Sequence, residues 1–221
     1  MIMRLLIIFV LLLGGCGPTL SRQRLPTDCR AEAPAEQLVA QQWLQQPVIW
    51  RLRQAALLEI GPKKIALEGF LRLDLVHQQA RLVALNEMGL VLFDLTVSSD
   101  AEQLQRAIPQ LQQQKGLAKG IALSIRSIFL QPRPQAADRL VKEGSVERLL
   151  RQTAAEQVQF IFDCQGDLRQ TRLNSAGQEW RVQYDSYQLY EATRLPSEIV
   201  FFDQQHAVKL SLWLREARQE P

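Results

Sequence analysis

Three cysteines, two histidines and a scatter of carboxylates are the side chains from which covalent or metal chemistry would be built in this chain of 221 residues. His77 and His206 stand far apart, and neither lies at motif spacing from a cluster of ligand-type residues. Surface or turn positions are expected for both. No G-x-S-x-G elbow and no glycine-rich phosphate loop occurs. Asp94, Asp163 and Asp185 fall in strand-like patterns, which places them on wet faces or in turns rather than as a general acid–base pair. The reading is a protein that is not an enzyme and uses no metal and no cofactor.

The remaining reactive group is Cys16. Arg4 precedes an uninterrupted apolar run over residues 5 to 13, followed by Gly14-Gly15-Cys16. The run is too short to span a bilayer, which needs about 20 apolar residues. It has the length of a signal-peptide core with small residues at the cut. The pattern resembles the lipobox of bacterial lipoproteins. That resemblance implies removal of residues 1 to 15 as a signal peptide, and lipidation of Cys16 (palmitate-type chains) as the new first residue. Each buried methylene contributes about 0.8 kcal/mol, so one chain holds marginally and the three that the resemblance implies hold firmly. Gly17 and Pro18 follow, with no Asp after the cysteine. This favours an outer-membrane, lipid-anchored, periplasm-facing protein.

Such a compartment is oxidising, so Cys29 and Cys164 are a disulfide candidate. Two free thiols are the other possibility, and sequence gives no connectivity. The formal charge of +3 is spread among both signs, without a Lys/Arg run interleaved with aromatics, and no nucleic-acid partner is expected.

Residues 16 to 34 are polar and proline-punctuated, a tether behind the anchor. Residues 35 to 221 are long enough for one domain with a substantial core. A short helix is expected over residues 35 to 46, ended by Pro47. Then the period changes to two. Val48, Trp50 and Leu52 alternate with Ile49, Arg51 and Arg53, and Ile65, Leu67, Gly69, Leu71, Leu73 and Leu75 oppose Glu68, Arg72 and Asp74. Residues 81 to 85 and 90 to 97 continue an antiparallel meander. Ser99 with Glu102 resembles a capping box, and Leu104, Ile108 and Leu111 form a helical stripe divided by Pro109. Ile121, Ile125, Ile128 and Phe129 share one face of a second helix. Residues 136 to 157 read as charged and weakly helical. Strands resume at residue 158 and run toward the C-terminus. The order strands, helices, strands suits an α+β, mainly β fold, with helices laid across the mouth of a curved sheet.

Trp180, Val182 and Tyr184 place two aromatics on one strand face, and Trp50, Phe70, Phe93, Phe129 and Phe160 add bulk elsewhere. Such residues either pack an ordinary core or line an apolar cavity under a helical lid.

The C-terminal third brings a family into view. Gly177-Gln178-Glu179-Trp180-Arg181-Val182-Gln183-Tyr184-Asp185-Ser186-Tyr187, then Leu195-Pro196-Ser197-Glu198-Ile199, then Val208-Lys209-Leu210-Ser211-Leu212 resembles the end of LolB-like outer-membrane lipoprotein receptors of the LolA/LolB superfamily. Upstream, Leu82-Val83-Ala84-Leu85-Asn86-Glu87-Met88-Gly89-Leu90 looks like the family's strand–loop–strand with a protruding N-P-L-G type loop. Residues 121 to 132 fall where the family has an apolar lid helix. The resemblance covers most of residues 48 to 215. It implies a half-open antiparallel β-barrel with a helical lid around an apolar cavity for acyl chains. Trp50, Leu67, Phe93, Ile121, Ile125, Phe129, Trp180 and Tyr184 would bind the lipid. It also implies a lipid or lipoprotein cargo, a LolA-like periplasmic carrier as donor, and a membrane-insertion loop. Met88 takes the position of that loop's apolar residue, unless it folds back onto the sheet. Glu87 replaces the usual proline, and residues 131 to 157 are longer than the family pattern. The expected function is acyl-chain or lipoprotein binding and placement in the outer membrane. The alternative is a packed-barrel lipoprotein that docks a periplasmic partner.

Overall fold

The computed structural model describes residues 32 to 114 and 116 to 220. The expected signal peptide, Cys16, nearly all of the tether and Cys29 lie outside the described residues. Helix α1 (Ala35–Ala40) and a 3-10 turn (Trp43–Gln45) precede a twelve-stranded antiparallel sheet. Its first half is β1 (Ile49–Ile60), β2 (Lys63–Asp74), β3 (Gln79–Leu85), β4 (Val91–Ser98) and β5 (Glu102–Ala107). A helical insert follows, with α2 (Pro109–Gln112), α3 (Leu117–Ile125) and a π-type turn (Arg126–Leu130). The second half is β6 (Arg139–Glu143), β7 (Val146–Gln152), β8 (Glu156–Asp163), β9 (Leu168–Ser175), β10 (Gln178–Tyr190), β11 (Thr193–Asp203) and β12 (Val208–Gln219).

The strand order is β5-β4-β3-β2-β1-β12-β11-β10-β9-β8-β7-β6. The first and last strands therefore pair at the middle of the sheet, from Trp50↔Gln219 to Ile60↔Val208. The outer edges are β5 and β6, the two strands that flank the helical insert. The sheet is not closed, so the insert bridges an open seam. This is the half-open barrel with a helical lid that the sequence implied.

The alternation read in the sequence sets the inner face. Trp50, Leu52, Leu71, Leu73, Ala84, Phe93, Leu95, Val158, Phe160, Trp180, Val182, Tyr184 and Phe201 are buried in one apolar cluster. Each large apolar side chain buried this way contributes about 1.5–3 kcal/mol. Polar residues at intervening positions face outward and pair across strands, as Arg81 does with Asp94 at 2.7 Å.

Two readings are corrected. The segment from Ser99 does not start a helix: residues 102 to 107 pair with β4 from Val97↔Glu102 to Phe93↔Ala107. The Ser98 hydroxyl instead accepts from the Ala101 amide across the β4–β5 turn. Residues 136 to 157 are not weakly helical either. They form the β6–β7 hairpin and the start of β8, turning at Gly144, whose φ of +61° suits glycine. Both histidines lie in surface turns, as expected. The His77 and His206 rings sit 3.0 and 2.7 Å from the carboxylates of Asp74 and Asp203, three residues earlier.

Candidate functional site

The interior of the barrel is where the predicted apolar residues meet. Trp50, Phe93, Ile125, Phe129, Trp180 and Tyr184 are all buried in one cluster, and Ile121 packs against it half-buried. Leu67 stands apart, half-buried nearer the β1–β2 turn and outside the cluster.

The lid reaches into this interior because its apolar residues recur at helical spacing. Gly116, at φ +84°, turns the chain into α3. The helix then buries Ala122 and Ile125, and the π-type turn buries Ile128, Phe129 and Leu130. The helix start is less covered, with Leu117, Ala118 and Ile121 only half-buried. Phe129 meets Trp43 edge-on at 6.2 Å between centroids, so the segment before β1 holds the end of the lid from below.

Few polar contacts fasten the lid. The Tyr184 hydroxyl on β10 donates to the Ile128 carbonyl at 3.1 Å. Burial pushes the Tyr184 phenol well above its ordinary pKa, so it stays a donor. Arg126 donates from Nε to the Ser98 carbonyl at 2.7 Å and from Nη2 to Glu102 at 2.8 Å, tying the lid to the β4–β5 edge. Beyond the lid, Arg151 grips Asp138 with two bonds of 2.8 and 2.9 Å and also donates to the Arg133 carbonyl. Gln45 donates to the Pro134 carbonyl at 3.0 Å.

The buried side chains of the lid belong to the same apolar cluster as those of the sheet. A recess of about 170 Å³ lies on the outer face, over β8, β9 and β10, lined by Gln157, Gln159, Arg172, Asn174 and Arg181 among others. Its lining is mostly polar, with Leu173 and Trp180 of the apolar cluster at its border.

The loop of residues 86 to 90 is built to hold its tip out. Asn86 accepts at Oδ1 from the amides of Met88 (3.0 Å) and Leu90 (2.9 Å), and Gly89 sits at φ +77°. Met88 is 86% exposed and Leu90 54%. Met88 does not fold back onto the sheet.

A second cluster was not foreseen. Asp163 and Asp185 flank the guanidinium of Arg169, at 3.4 and 3.9 Å, and Glu147 on β7 is buried within electrostatic reach of Asp163. Glu147 is only 1% exposed, with Lys142 at 3.9 Å as its one ion partner among the described residues. Burial raises the pKa of all three carboxyls. Next to Asp163, Cys164 is disulfide-bonded. The Cys29 half of the expected pair lies outside the described residues.

Trp43, Arg126 and Arg151 also went unnoticed in the sequence. Arg126 carried a signal, as a charge inside an otherwise apolar helical stripe. Among the described residues, no group of three or more His, Cys, Asp or Glu stands together as a metal site.

The sequence matches no protein-family model and no curated protein. The structure is similar to that of a LolA superfamily protein from Nitrosomonas europaea, with a TM-score of 0.55 over 86% of this chain and 95% of that one, at 8% identity. The fold is that of the LolA superfamily. A protein domain from Vibrio parahaemolyticus, assigned to outer-membrane lipoprotein sorting, is also similar, with a TM-score of 0.52 over 84% of this chain and 90% of that one, at 8% identity. At that identity the LolA-like likeness is one of architecture, a curved antiparallel sheet with helices across its mouth.

Proposed function

We propose that this chain is an outer-membrane lipoprotein, anchored through Cys16 and facing the periplasm, that takes acyl chains or lipoproteins into its LolA-like interior and aids their placement in the membrane. The observation that carries the reading is the lid. Its apolar face lies in the barrel interior, yet among the described residues only the Tyr184–Ile128 and Arg126 contacts bind its buried end to the sheet by hydrogen bonds. An acyl chain entering between the sheet halves would replace lid side chains with methylenes. Such an exchange trades apolar burial at about 25 cal/mol per Å² on each side, so the net cost is small. No covalent step is required. A LolA-like periplasmic carrier would present the cargo, and the Met88 loop would meet the acceptor membrane.

A second reading is favoured by the packing itself. The buried side chains of sheet and lid form one contiguous apolar cluster, as expected of a barrel that serves as a scaffold for a periplasmic partner.

A fluorescent fatty-acid analogue separates the two. The carrier should bind it, and Ile125→Glu should weaken binding, because an unpaired carboxylate among apolar groups is costly. A folded wild-type protein that binds no acyl probe supports the scaffold. Labelled fatty-acid feeding tests the anchor independently, and label retained by Cys16→Ser would remove it.

A further inference from the structure

The β1–β2 hairpin reaches further than its neighbour. β2 pairs with β3 only from Glu68↔Leu85 onward, so residues 63 to 67 have β1 on one side and no strand on the other. The strict buried–exposed alternation of β1 and β2 holds near residues 50 to 54 and 69 to 73 and fades toward the turn. Ile60 and Ile65 lie on the inner-facing parity, yet each is 40% exposed. Gly61-Pro62 closes the hairpin as a two-residue turn, with Gly61 at φ +56°. Glycine in the left-handed region and proline beside it make a stiff tip.

Between the two isoleucines stand Lys63 and Lys64. Lys64 and Lys209 share one carboxylate, Glu59, at 2.9 and 2.7 Å. Lys63 has no ion partner among the described residues. The tip therefore holds an excess of positive charge between exposed apolar groups. In the meander, the β1–β2 and β3–β4 turns leave the same end of the sheet, so this tip and the Met88 loop face one way. The Met88 loop carries an acid, Glu87, and no cation.

We propose that the tip of the β1–β2 hairpin, residues 60 to 65, is a second membrane-contact element whose partner is the surface of an anionic phospholipid leaflet. Lys63 and Lys64 meet lipid phosphates, and Ile60 and Ile65 enter the boundary between headgroups and acyl chains. Basic residues beside apolar ones bind such surfaces through both terms at once. The inference rests on the reading that this end of the barrel faces the membrane. It supplies the cationic contact that the Met88 loop lacks, and a stiff tip loses little conformational freedom on docking.

The test uses the full mature chain with its anchor. It is reconstituted in vesicles of phosphatidylethanolamine with phosphatidylglycerol, in vesicles of phosphatidylcholine alone, and in detergent. Lysine acylation is then read by mass spectrometry, with Lys142 near the far end of the barrel as reference. Labelling of Lys63 and Lys64 should fall about fivefold in the anionic vesicles only, the factor expected for a lysine at a charged leaflet. Lys63→Glu should abolish the protection at Lys64 while unfolding temperature and acyl-probe binding stay unchanged. Equal labelling in all three settings overturns the proposal. So does protection already present in detergent, which would mean that a second copy covers the tip. Protection of Lys63 without acyl binding would overturn the carrier reading and leave the contact standing. Acyl binding without protection would do the reverse.

Discussion

The hydroxyl of Tyr184 on β10 donates a 3.1 Å hydrogen bond to the main-chain carbonyl of Ile128, in the π-type turn of the lid. A strand of the barrel thus holds the deepest part of the lid through a buried polar contact in an apolar interior. Such a bond contributes about 1 kcal/mol net, but losing one partner leaves a buried carbonyl unsatisfied at about 1–3 kcal/mol.

Tyr184→Phe should therefore loosen the lid more than it loosens the barrel. Amide exchange over residues 117 to 130 should speed up, with β10 and β11 nearly unchanged, and the acyl probe should bind faster. Uniform acceleration across the whole sheet would show that the hydroxyl supports the barrel and does not latch the lid.

The buried carboxylates predict an unusual pH response. Burial raises the folded-state pKa of Glu147, Asp163 and Asp185 above their ordinary values. The folded protein then binds protons more readily than the unfolded chain. Its stability from these groups is full below the ordinary carboxylate range and is lost as pH rises through the raised values. Asp74 and Asp94 act in the opposite sense, since their pKa values are lowered. Burial opposes the shift at Asp74, where hydrogen bonds to the His77 amide and ring overcome it, and the Arg81 hydrogen bond lowers that of Asp94. Glu147→Gln removes one raised group. It should unfold at a higher temperature than wild type near neutral pH, with the gap closing in acid. A gap that stays constant with pH would mean that the Glu147 carboxyl titrates alike in the folded and unfolded chain, so that burial does not shift it.

Met88 contributes few core contacts, so Met88→Glu should change stability by no more than about 0.5 kcal/mol. Its effect should be slower release of bound lipid or lipoprotein into liposomes, because a carboxylate resists insertion. Met88→Leu should release normally, since the two side chains are close in volume. Thermal destabilisation by several kcal/mol with unchanged release would instead give Met88 a packing role.

Non-reducing peptide mapping should recover Cys29 linked to Cys164. Removing a native disulfide typically costs about 2–5 kcal/mol, and a long closed loop lies toward the upper end in the chain-entropy model. Cys164→Ser should lower the unfolding midpoint accordingly. A map that joins Cys164 to any cysteine other than Cys29 would refute this pairing.

Much of this architecture was legible because two-residue alternation survives wherever one strand face is apolar, as at Trp50 and Leu52 or Trp180 and Tyr184. It failed where the inner face carries charge. On β7 the inner positions are Glu147, Leu149 and Arg151, with Arg151 lying over the Phe160 ring at 5.8 Å, so no apolar period was visible. On β5 the residues Glu102-Gln103-Leu104-Gln105-Arg106-Ala107 are good helix formers, and pairing with β4 overrides that preference. The lid's apolar face could be read from spacing alone. Its latches could not, because Tyr184 and Ile128 are 56 residues apart and meet only through the curvature of the sheet.

The open seam between β5 and β6 also bears on solubility. Unpaired strand edges invite further copies to add on, and a lid that moves would uncover two of them. Both edges carry charge: Glu102 and Arg106 on β5, and Arg139, Lys142 and Glu143 on β6. The same charges that hid these strands from a sequence reading protect a barrel that opens from polymerising with its neighbours.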